Sequence, residues 1–143
     1  MTNWDLPIIS VGHEVDKQPA SVVADALKER LKTILKHHQD TGVTRSEIAH
    51  RMSVFLGTKI SEAVLNQYVA KSAGDKHISF VRLLAFIQAT NATELVGFIA
   101  SQFGLHVVEA KYARLIEREL LKARLKQLED DISEAEADTR RLL

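Results

Sequence analysis

Cysteine is missing from all 143 residues, so disulfides and thiolate metal sites are ruled out. Proline occurs only at Pro7 and Pro19, so nothing beyond residue 19 carries a proline break. No apolar run approaches the roughly 20 residues that cross a bilayer, which excludes a membrane-spanning helix. The first ten residues, MTNWDLPIIS, lack the basic start and long apolar block of a signal peptide, so a cytoplasmic protein is expected. Neither charge sign dominates: 19 Lys and Arg balance 19 Asp and Glu, and a net charge of zero argues mildly against a nucleic-acid binder.

Catalytic signatures are equally scarce. The chain has no Gly-rich phosphate loop and no G-x-S-x-G elbow. The acidic run Glu129-Asp130-Asp131 reads as the solvated flank of a helix, not as an acid/base pair. His37 and His38 are adjacent and would point about 100° apart on a helix, while His50, His77 and His106 are isolated. His13-Glu14 has no second histidine four residues on, as a zinc-protease helix needs. No enzyme, metal, cofactor or small-molecule substrate is expected.

What is present is helical periodicity. Residues 1–20 read as an N-terminal arm, with a short strand over Leu6–Val11. Such an arm is either loosely ordered or docks Trp4, Ile8 and Ile9 on a partner chain. Ser21 to Gln39 repeats Val22, Val23, Ala26, Leu27, Leu31, Ile34 and Leu35 at helical spacing, and Thr41-Gly42 ends it. Ser72-Ala73-Gly74-Asp75 reads as a loop. Ile78 to Ala89 is apolar nearly all round and is expected to be a buried central helix. Asn91 and Glu94 fit a capping box that opens a short helix ending near Gly104.

Between these lies Thr44 to Val69, which reads as two short helices and a turn. Thr44 and Glu47 fit a capping box ahead of Ile48, Ala49 and Met52, and Gly57 supplies the turn signal. Val54 to Lys59 is open to both a helical and a loop reading. Ser61 caps a second helix whose apolar side is Val64, Leu65, Tyr68 and Val69. Its other side shows Glu62, Ala63, Asn66, Gln67 and Ala70, small and amide-bearing residues suited to base edges in a DNA major groove. The Asn66 and Gln67 amides could pair bidentately with adenine, and Ala63 could touch a thymine methyl. Thr44, Arg45 and Ser46 at a helix N-terminus, with Arg51, Lys59, Lys71 and Lys76, are the expected phosphate contacts. Residues 44–82 hold six bases against three acids and form the net-basic part of the chain. The competing reading leaves both amides merely solvated.

The order helix, short helix, turn, short helix, loop, buried helix, short helix resembles the five-helix domain of the Cro- and lambda-repressor-like class of helix–turn–helix proteins. The residues that carry it are Glu47-Ile48-Ala49 with Met52, then Leu65 and Tyr68, then Ile78-Ser79-Phe80 with Leu83, Leu84, Ile87 and Thr90-Asn91. The blocks RSEIAHRMS, ISEAVLNQY and ISFVRLLAFIQATN also look like small regulatory proteins of Mu-like phages and prophages. One departure is the distance from Ala49 to Leu65, longer than the tight turn of that class. The resemblance implies a sequence-specific transcriptional regulator that binds double-stranded DNA.

Leu105 to Leu143 holds no Gly or Pro and reads as one long helix. From Leu121 its apolar residues fall into four-three spacing: Leu121, Leu125, Leu128, Ile132, Ala135, Thr139 and Leu142, the a and d positions of a short coiled coil. Residues 111–127 carry six bases and two acids, whereas 129–138 carry six acids and no base. That segregation favours antiparallel self-pairing over a parallel pair, in which Asp131 would face the partner's Glu136. A fold-back onto its own domain is the alternative. The reading is therefore all-α: an arm (1–20), a five-helix domain (21–104) that reads DNA with helix 61–70, and a C-terminal helix (105–143) that joins copies into a dimer or higher oligomer. Its rival is a non-enzymatic adaptor of the same fold that binds protein.

Overall fold

Apolar side chains every three or four residues from Val22 to Leu35 give one continuous sticky stripe, and it folds as α1, Ala20–Asp40. The computed structural model describes residues 18–71 and 76–143. Five more helices follow: α2 (Arg45–Leu56), α3 (Glu62–Val69), α4 (Phe80–Thr90), α5 (Glu94–Ser101) and α6 (Ala110–Leu142). No strand occurs among the described residues. The expected strand at Leu6–Val11, the arm as far as residue 17 and the loop Ser72–Asp75 lie outside them.

The helix ends follow from local chemistry. Gly42, at φ 96°, closes α1. Val43 N–H returns to the His38 carbonyl at 2.8 Å and Gly42 N–H to that of Gln39 at 3.1 Å, which satisfies two of the carbonyls a helix end leaves open. Thr44 caps α2 by accepting from Glu47 N–H at 3.2 Å. The reciprocal half of the expected box is replaced, because the Glu47 carboxylate accepts from Arg51 at 2.8 Å. Gly57, left-handed at φ 70°, ends α2. Val54–Leu56 thus belongs to α2, while Gly57–Lys59 turns. Ser61 caps α3 through Val64 N–H, and Ser79 caps α4 through Arg82 N–H.

All five of the first helices feed one core. Leu31 and Leu35 of α1, Ile48 and Met52 of α2, Leu65 of α3, Phe86 of α4 and Leu95 of α5 are its fully buried large side chains. The α2 helix packs on α4, and α3 packs on both α1 and α2. The Arg30 guanidinium also lies 4.6 Å above the Phe98 ring, tying α1 to α5.

Three expectations are corrected. First, α4 is not buried all round. It starts at Phe80 and buries Leu83, Ala85, Phe86 and Ala89, but leaves Phe80 67% and Val81 57% exposed. With α2 covering one side, the remaining apolar side chains face outward. Second, Asn91 does not open α5: it ends α4 in a left-handed conformation at φ 56°, and Thr93 precedes α5 with no side-chain cap bond. An Asn backbone tolerates that conformation better than most residues. Third, the long helix begins at Ala110, not Leu105. Gly104 turns at φ 69°, Leu105 N–H bonds back to Ala100, and the β-branched pair Val107-Val108 precedes an extended Glu109. None of the α6 residues is buried, so α6 is not folded back onto the five-helix core.

Two glycines should respond to alanine with opposite signs. A Cβ meets nothing within 4 Å at either Gly57 or Gly97, so sterics drop out of both comparisons. Gly57→Ala should lose about 1 kcal/mol, because its backbone is left-handed. Gly97→Ala, inside α5, should gain roughly 0.5–1 kcal/mol. Urea unfolding of the two variants measures both.

Candidate nucleic-acid interface

Burial of Leu65, Tyr68 and Val69 fixes the roll of α3. With eight residues on a 100° pitch, that leaves Glu62, Ala63, Asn66 and Gln67 exposed on the outer side. Ala70 lies just past the helix end, half-buried and extended.

Four side chains hold α3 in place. Ser53 on α2 accepts from Ile60 N–H at 2.8 Å, and its hydroxyl lies 2.7 Å from the Ala49 carbonyl and 3.2 Å from that of Ile60. One hydroxyl has one proton, so Ser53 accepts from Ile60 and donates to a single carbonyl, the nearer being Ala49. This pins the Gly57–Ile60 turn onto α2. Lys28, buried in α1, donates to the carbonyls of Ala70 and Lys76, both at 3.3 Å, and so ties the residue that follows α3 to one four residues ahead of α4. Arg82 of α4 donates to the Tyr68 hydroxyl. Arg45, at the start of α2, donates to the Asn66 side-chain oxygen at 2.8 Å.

The predicted contact residues fall into groups. Arg45 and Asn66 are joined directly. Ser46, Lys59 and Glu62 line one open cleft between α2 and the start of α3, together with His50. Thr44 spends its hydroxyl as the α2 cap, while the backbone N–H groups of Arg45 and Ser46 stand in the first turn, ahead of the helix's own bonds. Arg51 is placed differently. It is engaged by Glu47 and by the Ala89 carbonyl at 3.2 Å, on the side that packs against α4. Lys71 lies 3.7 Å from Glu29 of α1 in an exposed pair. Lys76 is exposed beside His77.

Ser53, Lys28 and Arg82 escaped the sequence reading. Ser53 sits just ahead of Val54–Lys59, the stretch open to both a helical and a loop reading, and Lys28 looks like one of the solvated charges between the apolar positions of α1. The signal for Lys28 was its place three and seven residues before Leu31 and Leu35, on the same side of the helix. Among the described residues, no group of three or more His, Asp or Glu is arranged to hold a metal ion.

Comparison with family models, curated proteins and solved structures finds no match to this chain.

Removing the Ser53 hydroxyl should strand the buried Ile60 N–H. Ser53→Ala is expected to cost about 1–3 kcal/mol, the desolvation cost of an unpaired buried donor. Thermal unfolding measures it, and amide exchange at Ile60 should speed up by more than exchange in α4.

Proposed function

We propose that the chain is a sequence-specific DNA-binding regulator whose α1–α5 form a lambda-repressor-like helix–turn–helix domain. One observation carries the reading. A short helix, α3, packs against α1 and α2 with its apolar side in the core and with Glu62, Ala63, Asn66 and Gln67 exposed beside Arg45 and Lys59. That is the surface a major groove admits. Asn66 and Gln67 pair with adenine, Glu62 accepts from a cytosine amino group, and Ala63 leaves room for a thymine methyl. Arg45, Ser46 and Lys59 take the backbone phosphates, with Lys71 and Lys76 at the far end of α3. The bond between Arg45 and Asn66 must be exchanged when the helix docks: Arg45 turns to a phosphate and frees the Asn66 amide for a base. The resemblance to small regulators of Mu-like phages extends the reading to transcriptional control by a phage or prophage protein.

A second reading is favoured by the exposed apolar side of α4, where Phe80 and Val81 stand in solvent. On that reading the same fold is an adaptor that docks α4 on another protein.

The two are separated by DNA binding as a function of salt. Asn66→Ala and Gln67→Ala should each lose roughly 1–3 kcal/mol of discrimination at one base position. Arg45→Ala and Lys59→Ala should weaken binding to all sequences alike and reduce the salt slope by about one each. No binding of mixed duplex at low salt would turn the assignment to the adaptor.

A further inference from the structure

The α6 helix is an amphipathic rod whose apolar side no other described residue buries. Leu121, Leu125, Leu128 and Ile132 recur at four-three spacing, and each is between 45% and 58% exposed. A stripe of that kind in water needs a cover. The charge along the rod says what the cover is. The N-terminal half is basic and residues 129–138 are wholly acidic in their charge, so each half matches the other half of an identical rod laid the opposite way.

We propose that α6 pairs antiparallel with α6 of a second copy, in the register that sets Leu125 against the partner's Leu128 and Leu121 against the partner's Ile132. This inference is independent of what α3 binds. The register follows from two conditions that agree. It overlaps the rod along its whole length, and it seats every a position of the stripe on a d position. The flanking pairs then have opposite sign: Lys122 meets the partner's Glu129, and Arg124 meets the partner's Asp131. By symmetry each occurs twice. Continuing the stripe backward, Arg118 lands on the partner's Ala135, a small residue with acids Glu134 and Glu136 beside it. A parallel pair would also gain two flanking contacts of opposite sign, Lys122 with the partner's Glu117 and Arg124 with the partner's Glu129, and would set Asp131 against the partner's Glu136. What separates the two directions is the seam, where a parallel pair stacks Lys111, Arg114 and Arg118 each on its own copy and the antiparallel pair seats them on Leu142, Thr139 and Ala135. One flanking contact opposes the antiparallel register, Glu117 against Asp138, and it lies towards the ends of the pair. Within one chain Lys122 lies 3.6 Å from Glu119, an exposed contact that exchanges at little cost.

A charge exchange in the full chain tests both the pairing and its direction. Sedimentation equilibrium should show the wild type dimerising. Lys122→Glu, facing Glu129, should weaken the dimer roughly tenfold. Adding Glu129→Lys should return it to the wild-type strength. In a parallel pair the same double variant would set Glu at position 122 against Glu117 and Lys at position 129 against Arg124, and would be weaker than either single variant. That outcome, or a wild type that stays monomeric at every concentration reached, overturns the proposal. Because the chain has no cysteine, one spin label at Ala113→Cys gives a second reading. The two labels should lie about 40 Å apart along the rods, whereas a parallel pair would bring them side by side.

Discussion

The orientation of α3 depends on three buried side chains. Leu65, Tyr68 and Val69 occupy consecutive turns of a helix only eight residues long, and they face the core shared with α1 and α2. A helix so short is not stable by itself. It exists because tertiary packing supports it, and the side that packs decides the side that does not. The polar bonds around it act on the same element: Ser53 holds the turn that enters it, Lys28 holds the chain that leaves it, and Arg82 reaches Tyr68 from α4. Ser53 and Lys28 constrain the backbone next to α3 and Arg82 a side chain of its buried face, all without occupying its outer side. The one exception is the Arg45 bond to Asn66, which crosses onto that side.

Much of this was legible in the order of residues. The apolar repeat of α1, the Thr44 and Ser61 caps and the turn at Gly57 are local signals, read within a window of a few residues. They placed α1, the start of α2 and α3 within a residue or two of where they lie, while the end of α2 at Leu56 falls inside the stretch Val54–Lys59 that admitted both a helix and a loop. The errors share one cause, which is that the deciding partner is distant in sequence. A run of apolar residues in α4 says that the helix can be buried, but only the position of α2 says how much of it is. Asn91 has the chemistry of a helix start and equally that of a left-handed helix end, and the connection to α5 chose the second. Lys28 shares a side of α1 with the buried Leu31 and Leu35, but its partners, the carbonyls of Ala70 and Lys76, lie more than 40 residues away, whereas Lys32, farther round the helix, is exposed.

Charge gives a further instance. The balance over the chain as a whole conceals two separate arrangements. Bases outnumber acids around α2 and α3, while α6 is divided lengthwise into a basic and an acidic half. Neither is a strong field at physiological salt, where screening acts within about 8 Å. Both are therefore short-range devices, effective on a surface already in contact, and neither would attract a distant partner.

The 33 residues of α6 also act as a gauge. At 1.5 Å per residue the rod is about 50 Å long, and it has no glycine or proline at which to bend. Rods laid head to tail would carry their five-helix bodies at opposite tips, farther apart than the 34–36 Å that separates adjacent turns of a duplex. With the proposed pairing and the proposed DNA reading together, such a pair would straddle a stretch of roughly 15 base pairs, or hold two distant segments at once, and would be a spacer as much as a clasp.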